Sequence, residues 1–508
     1  MWENILEGLI MMLNIGTILY MAAGTAIGIV MGALPGLNAT LGMALFVPVT
    51  FFMSPLHGIP FLLGLYKGAV YGGSISAILI NTPGTNAAVA TVNDGYPMAR
   101  QGKAGKALKM ALYSSAIGNT LGDVWALFSV GLIASVVLKI GRPEFFLILI
   151  FSCTMIGALS GKSIWRGLIA AGLGLFLSTI GVDPIIGTYR FAFGNMYLGS
   201  GLSSVPVLLG LFGMSEIISK MLSSSKKKKK EEVLDVRTLK GPNHRVSWAE
   251  FRSCWKVMGI GTAIGIVIGM IPALGQPIAA FLSYAVGKKV ATERDKFGEG
   301  ALEGVAAPEA ANNAVNGGAI IPMLTLGIPG DMVTSILLGA FMAQGLRPGP
   351  FLFQNEGPLI YGILSISVLG NILMFGLGFI ACRQFVKLIK IPENILYPCI
   401  VMFLLVGAFA MNNSLFDVGI MALFGIFGYG LRKVDIPLSP IVITFILGRH
   451  IEMSFLQSLL LYGSPAAMIR NPLAVVLLIM TILSVALLVV LEVRKSRKAR
   501  RESLSDGV

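Results

Sequence analysis

The chain has 508 residues, of which 55% are hydrophobic and 13% are charged, and its mean hydropathy is +0.80. This composition excludes a soluble protein, because too few polar residues remain to cover a surface of that size. The net charge of +14 does not indicate nucleic-acid binding, since the basic residues lie at the ends of apolar runs and in clusters at Lys226–Lys230 and Arg494–Arg501. The lipid bilayer is therefore the predicted surrounding.

Apolar runs recur along the chain, and each is close to or above the roughly 20 residues that a helix needs to cross the hydrocarbon. They predict an all-α integral membrane protein with spans at 8–33, 110–138, 144–160, 164–182, 203–222, 254–271, 359–381, 395–411, 417–431 and 473–493. No basic residue precedes Lys67, so we expect no cleaved signal peptide and an N-terminus outside the cytoplasm. The basic C-terminus is expected in the cytoplasm.

The sequence repeats itself. Gly28–Leu37 returns as Gly265–Leu274, and Thr82-Pro83-Gly84 returns as Ile328-Pro329-Gly330, with further pairs in the same order. The predicted divisions are a first transmembrane repeat at 1–222, a charged cytoplasmic linker at 223–252, a second repeat at 253–472, an extra helix at 473–493 and a basic cytoplasmic tail at 494–508.

Matched loops of the two repeats carry opposite charge patterns. The loop at 94–109 holds four basic residues and its counterpart at 342–350 holds one, whereas the loop at 54–60 holds none and its counterpart at 288–298 holds four. Lys and Arg mark the cytoplasmic side, so the halves are predicted to be inverted relative to each other. Inverted repeats with broken helices are typical of secondary transporters that bind substrate near mid-membrane.

Each half contains a cluster of Gly, Pro and amide residues inside an apolar stretch, at 71–86 and at 312–331. Pro lacks a backbone donor and Gly permits positive φ, so each Pro-Gly is expected to end a helix. A helix that starts after the break presents free N–H groups to a carboxylate, with Thr85, Asn86 and Asp331 at the cap positions. A simple packing kink is the alternative. A second pair of breaks, at 35–40 and 272–277, predicts either the same cavity or surface turns.

Polar and small residues in and near these breaks are the predicted substrate ligands. They are Asn38, Thr40, Lys67, Ser74, Asn81, Thr82, Pro83, Gly84, Thr85, Gln276, Asn313, Asn316, Gly327, Pro329 and Gly330. Ionisable groups at membrane depth are costly, which favours a function for them. Lys67 is expected to hold an anionic substrate, and Asp331, Glu309 and Asp123 are expected to bind the coupling ion, unless these charges lie near the interface.

Long motifs at 32–40, 71–85, 94–108 and 308–314 closely resemble the large transmembrane subunit of tripartite tricarboxylate transporters. The resemblance implies a secondary transporter of the bacterial inner membrane that takes up carboxylates such as citrate by proton or sodium symport. In that membrane, the N-terminus expected outside the cytoplasm is periplasmic. It implies a small transmembrane subunit and a periplasmic solute-binding protein as partners. The implied fold is similar to elevator-type ion transporters, with the broken segments as re-entrant hairpins.

An enzyme is not expected, because the sequence contains no Gly-x-Ser-x-Gly, His-Glu-x-x-His or P-loop spacing. The four cysteines lie singly and only three histidines occur, so no metal site and no cofactor are predicted beyond a coupling proton or sodium ion. A passive channel and a membrane scaffold without transport of its own remain alternatives.

Overall fold

The computed structural model describes residues 1–34, 37–159, 163–223, 242–272, 274–349, 351–388 and 393–505. The predicted Lys226–Lys230 linker run and Pro35-Gly36 of the second break lie outside these ranges. The helices of the first half are α1 (Trp2–Met12), α2 (Ile15–Ala33), α3 (Ala39–Phe46), α4 (Pro55–Ile80), α5 (Ala88–Met98), α6 (Ala104–Val137), α7 (Arg142–Leu159), α8 (Ile164–Ser178), α9 (Met196–Gly199), α10 (Ser204–Leu208) and α11 (Ser215–Ser223).

The helices of the second half are α12 (Trp248–Met270), α13 (Gly275–Val290), α14 (Leu302–Leu326), α15 (Met332–Ala343), α16 (Leu352–Asn355), α17 (Gly357–Leu388), α18 (Glu393–Asn412), α19 (Leu415–Lys433), α20 (Leu438–Tyr462) and α21 (Pro472–Ser505). One two-stranded antiparallel hairpin pairs β1 (Gly181–Val182) with β2 (Tyr189–Arg190). The prediction of an all-α protein is confirmed.

Eight helical segments of the described residues are long and apolar enough to cross a membrane. Two of them, Pro55–Ile80 and Leu438–Tyr462, are absent from the predicted spans, which were wrong there. In Pro55–Ile80 the residues from Gly58 to Ile80 are all buried inside the protein, and the small and polar residues among them interrupt the apolar runs. The predicted run 8–33 is two helices, because the Asn14 side chain caps α2 by accepting from the Thr17 N–H at 2.8 Å.

The chain forms two compact units, residues 1–137 with 208–426 and residues 138–207 with 427–508. Each unit takes segments from both halves of the sequence. The two units are defined by contacts within the structure and the two repeats by sequence similarity, so the units do not test the predicted repeat boundaries. All the predicted site residues belong to the first unit.

In the first unit, glycines spaced four apart let α2 and α4 pack backbone to backbone. A Cβ on any of the three glycines of α2 would lie 2.0–2.2 Å from a carbonyl oxygen of α4. The pairs are Gly24 with Phe61, Gly28 with Leu65 and Gly32 with Ala69. Small residues are what permits such close approach in membrane helices.

The second half of the sequence packs α12 against α14 in the same way. The pairs are Gly261 with Ala307, Gly265 with Ala311 and Gly269 with Val315, and each added Cβ would lie 2.2–2.8 Å from the carbonyl oxygen. These three glycines are the sequence counterparts of the three in α2. The internal repeat therefore extends from sequence to helix packing.

The second unit joins α7, α8, α20 and α21. Thr444 in α20 donates to the carbonyl of Ala171 in α8 at 2.8 Å. In the β1–β2 hairpin, Arg190 binds both carboxylate oxygens of Glu452 at 2.6 and 2.9 Å. Backbone N–H bonds from Ile186 and Ile185 lower the pKa of Asp183 in the same hairpin. These contacts fix the hairpin against α20.

Candidate functional site

Both predicted breaks interrupt a buried helix. α4 ends at Ile80 with Asn81 in the left-handed conformation, φ 56°, and α14 ends at Leu326 with Gly327 at φ 69°. The helices thus end before each Pro-Gly, and the positive φ falls on Asn81 and Gly327 instead of the glycine after proline. The expectation that those glycines supply the positive φ was wrong.

Gly84 and Gly330 have a different role, which is close approach. A Cβ on Gly84 would lie 1.8 Å from the carbonyl oxygen of Gly32, and a Cβ on Gly330 would lie 2.6 Å from that of Gly269. Gly32 and Gly269 are themselves repeat counterparts. A glycine–glycine contact therefore holds the break of the first half against α2 and the break of the second half against α12.

The helix that follows each break starts differently. Asp331, only 9% exposed, caps α15: its Oδ1 accepts from the Thr334 N–H and hydroxyl, both at 2.7 Å. At the start of α5, the hydroxyl of Thr85 accepts from the Ala88 N–H at 3.3 Å, and the N-cap residue itself supplies no side-chain bond. The cap predicted at Asp331 is present, and α5 begins without a carboxylate.

A fully buried carboxylate, Glu309, lies in the interior of α14. Its Oε1 accepts hydrogen bonds from the hydroxyls of Ser74 at 2.6 Å and Thr91 at 2.5 Å, and its Oε2 accepts from Ser115 at 3.0 Å. The three hydroxyls come from α4, α5 and α6. Glu309 thus joins both sequence halves through neutral donors.

Amide side chains continue this network. The Asn313 amide donates to the Ser115 hydroxyl at 2.9 Å and accepts from Asn119 at 2.9 Å, and Asn119 in turn accepts from Asn316 at 2.8 Å. All of these side chains are buried. The result is a hydrogen-bonded line between α6 and α14 that starts at Glu309.

This hydrogen-bonded line ends at the Pro-Gly break of the second half. The Gln276 amide donates to Asn316 at 2.8 Å and to the Tyr66 hydroxyl at 3.1 Å, and Tyr66 donates to Asp331 Oδ2 at 2.5 Å. The structure therefore connects the two carboxylates Glu309 and Asp331 through buried polar side chains of α4, α6, α13 and α14.

Lys67 and Asp123 form a separate cluster. They make a buried ion pair, and the Lys67 ammonium also donates to the Ser367 carbonyl at 2.6 Å and to Asn371 Oδ1 at 2.9 Å. Asn371 donates back to Asp123 at 2.8 Å. Since an ammonium has three hydrogens, protein groups use the full donor capacity of Lys67 in this conformation. A role in binding an anion requires this pair to open and stays a prediction.

The predicted ligands thus fall into distinct groups. The network contains Ser74, Gln276, Glu309, Asn313, Asn316 and Asp331. The breaks themselves contain Asn81, Thr82, Pro83, Gly84 and Thr85 in one half and Gly327, Pro329 and Gly330 in the other. Asn38 caps α3 by accepting from Leu41 N–H at 2.8 Å, and Thr40 lies in the first turn of the same helix.

Sequence reasoning missed members of the network and of the Lys67–Asp123 cluster that lie in helix interiors, away from any Pro or Gly break. They are Tyr66, Thr91, Ser115, Asn119 and Asn371. A signal for three of them exists in the repeat. Ser115 with Gly118-Asn119 recurs as Ser367 with Gly370-Asn371, which places matched polar residues in two otherwise apolar helices.

Long apolar helices around a buried polar interior define a multi-pass membrane protein. The sequence profile described as "Tripartite tricarboxylate transporter TctA family" matches residues 18–443, and the chain belongs to this family. The predicted resemblance is confirmed.

Two relatives come from Agrobacterium vitis. An uncharacterized 52.8 kDa protein in the TAR-I ttuC' 3' region is 34% identical over 481 residues, which cover 94% of each chain. An uncharacterized protein in the TAR-II ttuC' 3' region is 36% identical over 234 residues, which cover 46% of this chain and 97% of the relative. No solved structure gives a significant match.

Proposed function

We propose that this chain is the transporting subunit of a secondary active system that takes up small organic anions, tricarboxylates such as citrate, across the bacterial inner membrane. A proton or sodium gradient drives the uptake, a periplasmic solute-binding protein delivers the substrate, and a small transmembrane subunit completes the complex. Family membership supports the transport of tricarboxylates and the presence of partner subunits.

One observation carries the proposed substrate site: the repeat-related helices α5 and α15 have different N-termini. At α15 the negatively charged carboxylate of Asp331 accepts the Thr334 N–H, whereas the equivalent N–H of Ala88 in α5 is met by the neutral Thr85. A carboxylate at a helix N-terminus is stabilised by about 0.3–2 kcal/mol. At α15 this carboxylate belongs to Asp331, and at α5 it can belong to the substrate. Asn81 and Asn86 are exposed beside it.

Charge at position 85 is expected to decide anion uptake. Thr85→Asp places a carboxylate where the substrate carboxylate would bind, and we expect about 10- to 100-fold slower uptake, from the loss of roughly 1.5–3 kcal/mol of charge-assisted hydrogen bonding. Thr85→Asn is the matched control, since Asn has the same size as Asp and carries no charge. Equal uptake by the two variants would remove α5 from the substrate site.

The inverted arrangement of the repeats is part of this proposal, and contacts at two ends of the first unit support it. Gln101 donates to the Glu299 carbonyl at 2.7 Å, which joins the basic loop of the first half to the basic loop of the second. Gln344 donates to the Thr50 carbonyl at 3.3 Å, and its amide lies beside Gly58, so the loop at 54–60 and the loop at 342–350 are adjacent. The two loops rich in basic residues thus lie together, and so do the two loops poor in charge. Inverted repeats require this arrangement, because matched loops then lie on opposite sides of the membrane. Each compact unit also draws on both halves, as in an elevator-like transporter.

Labelling tests the inversion. In a Cys399→Ser background, we expect Lys103→Cys and Lys289→Cys both to react with an impermeant thiol reagent from the cytoplasmic face, because both positions are exposed and the other cysteines are buried. Arg347→Cys is expected to react from the periplasmic face only. Reaction of positions 103 and 289 from opposite faces would overturn the inverted arrangement.

Uptake by cells that express this chain with its small subunit tests the function as a whole. A panel of labelled di- and tricarboxylates is added with and without the binding protein, and then with a protonophore or a sodium ionophore. Accumulation against the gradient that one ionophore abolishes supports the proposal. Equilibration without accumulation indicates a channel, and no movement in proteoliposomes indicates a scaffold.

A further inference from the structure

Buried carboxylates in the first unit are stabilised in different ways. Asp94 accepts three backbone N–H groups, from Gly298, Gly300 and Ala301, at 2.7–3.0 Å. Glu303 accepts from the N–H groups of residues 292 and 293, and Asp331 caps a helix. Asp123 pairs with an ammonium. Backbone N–H groups, helix ends and ammonium groups all stabilise a permanent negative charge.

Glu309 differs from these carboxylates. Among the described residues it is held only by the hydroxyls of Ser74, Thr91 and Ser115, in the interior of a helix. A buried ion without a counter-charge costs several kcal/mol, so such a group is neutralised by whatever cation can reach it. A hydroxyl donates to a carboxylate and accepts from a carboxylic acid, so these three partners satisfy Glu309 in both states.

The internal repeat supplies a comparison. Lys67 is the counterpart of Asn313 in the register that aligns the two Pro-Gly breaks, and Ser367 and Asn371 are the counterparts of Ser115 and Asn119. Lys67 donates to the Ser367 backbone carbonyl and to the Asn371 side chain, and Asn313 contacts the side chains of Ser115 and Asn119. One polar cluster thus contains a cation fixed to the chain beside its carboxylate, and its repeat-related cluster contains a carboxylate and no fixed cation.

The neighbouring Asn312 adds a second observation. Asn312 is fully buried, and neither its amide nitrogen nor its amide oxygen has a hydrogen-bond partner among the described residues. It lies three residues after Glu309, hence on the same side of α14. Unsatisfied buried polar atoms are costly and mark places where a water molecule or ion binds. A water bound at Asn312 would give a proton a path to Glu309.

From this geometry we infer that Glu309 binds and releases the coupling proton, whereas the carboxylate of the Lys67 cluster, Asp123, is paired with a cation that belongs to the chain. The inference rests on the proposed gradient-driven transport and narrows its coupling site to one residue. The oxygen–oxygen separations of 2.5–3.0 Å are those of shared hydrogen bonds.

Other titratable groups on the elements packed against α14 have partners of their own. On α4, Tyr71 contacts Cys382 of α17 at 3.0 Å, Tyr66 donates to Asp331 and Lys67 pairs with Asp123 of α6. Tyr284 of α13 donates to Asp94 of α5 at 2.8 Å, and Cys254 of α12 is buried beside Ser253. Since each of these groups already has a partner, Glu309 remains the candidate for binding and releasing a proton.

Infrared difference spectroscopy on the purified full chain in lipid nanodiscs tests the inference without a substrate. We expect a carboxylic-acid C=O band that disappears as the pH is raised, that is absent in Glu309→Gln and that is retained in Glu299→Gln, a control at an exposed position. Ser115→Ala removes one hydroxyl contact and should shift the frequency of the band without abolishing it. This variant keeps the test valid if Glu309→Gln does not fold.

Three results would overturn the inference. They are the absence of a titrating band in the wild type, a titrating band that persists in Glu309→Gln, and loss of the band when Na⁺ replaces choline at constant pH. The last result would assign Glu309 to a sodium ion. The spectroscopic measurement needs no carboxylate substrate, so it can be interpreted even if the uptake panel fails. Failure of the uptake panel would refute the proposed function alone.

Discussion

Replacing Asp331 by Ala is expected to abolish uptake while leaving the protein inserted in the membrane. The change removes the cap of α15, which costs about 0.5–2 kcal/mol, and leaves the Tyr66 hydroxyl without its acceptor at 2.5 Å. The buried line of side chains from Glu309 then loses its end at the break. Uptake of the substrate identified in the panel, normalised to protein in the membrane, measures the effect.

Asp331→Asn separates the charge of this residue from its capping role. The Asn side-chain oxygen still caps the helix, whereas its amide nitrogen cannot accept from Tyr66, so we expect uptake about 10- to 100-fold below wild type, from a loss of roughly 1.5–3 kcal/mol. Asn81→Ala tests the matched break of the first half and is also expected to abolish uptake. Unchanged transport in both Ala variants would exclude these two residues from the site.

Replacing Gly84 by Ala is expected to give the largest loss of folded protein. The added Cβ would lie 1.8 Å from the carbonyl oxygen of Gly32, and a backbone atom of a packed helix cannot move away as a side chain can. Overpacking of this kind costs about 1–3 kcal/mol or more. We expect a lower yield, a lower Tm in detergent and no uptake.

Two further glycines provide a graded series. Gly330→Ala, with its contact at 2.6 Å, is expected to lower the Tm less than Gly84→Ala does. Gly259→Ala meets no atom within 4 Å and is expected to be neutral or slightly stabilising, since Ala favours a helix by roughly 0.5–1 kcal/mol over Gly. A Tm for Gly84→Ala equal to that of Gly259→Ala would show that Gly84 does not pack closely against α2.

The sequence located both breaks because Pro and Gly act locally on the backbone. It did not reveal that Asn81 and Gly327 carry the positive φ, or that Gly84 and Gly330 serve close packing, since both facts depend on the path of the neighbouring helix. The span Pro55–Ile80 was missed for a related reason. Small and polar residues that pack against neighbouring helices interrupt its apolar runs, although its average composition is still apolar enough to cross a membrane.

By itself, the sequence determined the helical membrane class, the internal repeat, the two breaks and the family, because composition, periodicity and long motifs are properties of the chain alone. Only the tertiary structure decided which polar side chains meet. Glu309 contacts residues 194 to 235 positions away, and Lys67 contacts Asn371 across 304 positions. In a buried interior a polar group is stabilised by the donors that surround it, and no local pattern specifies those donors.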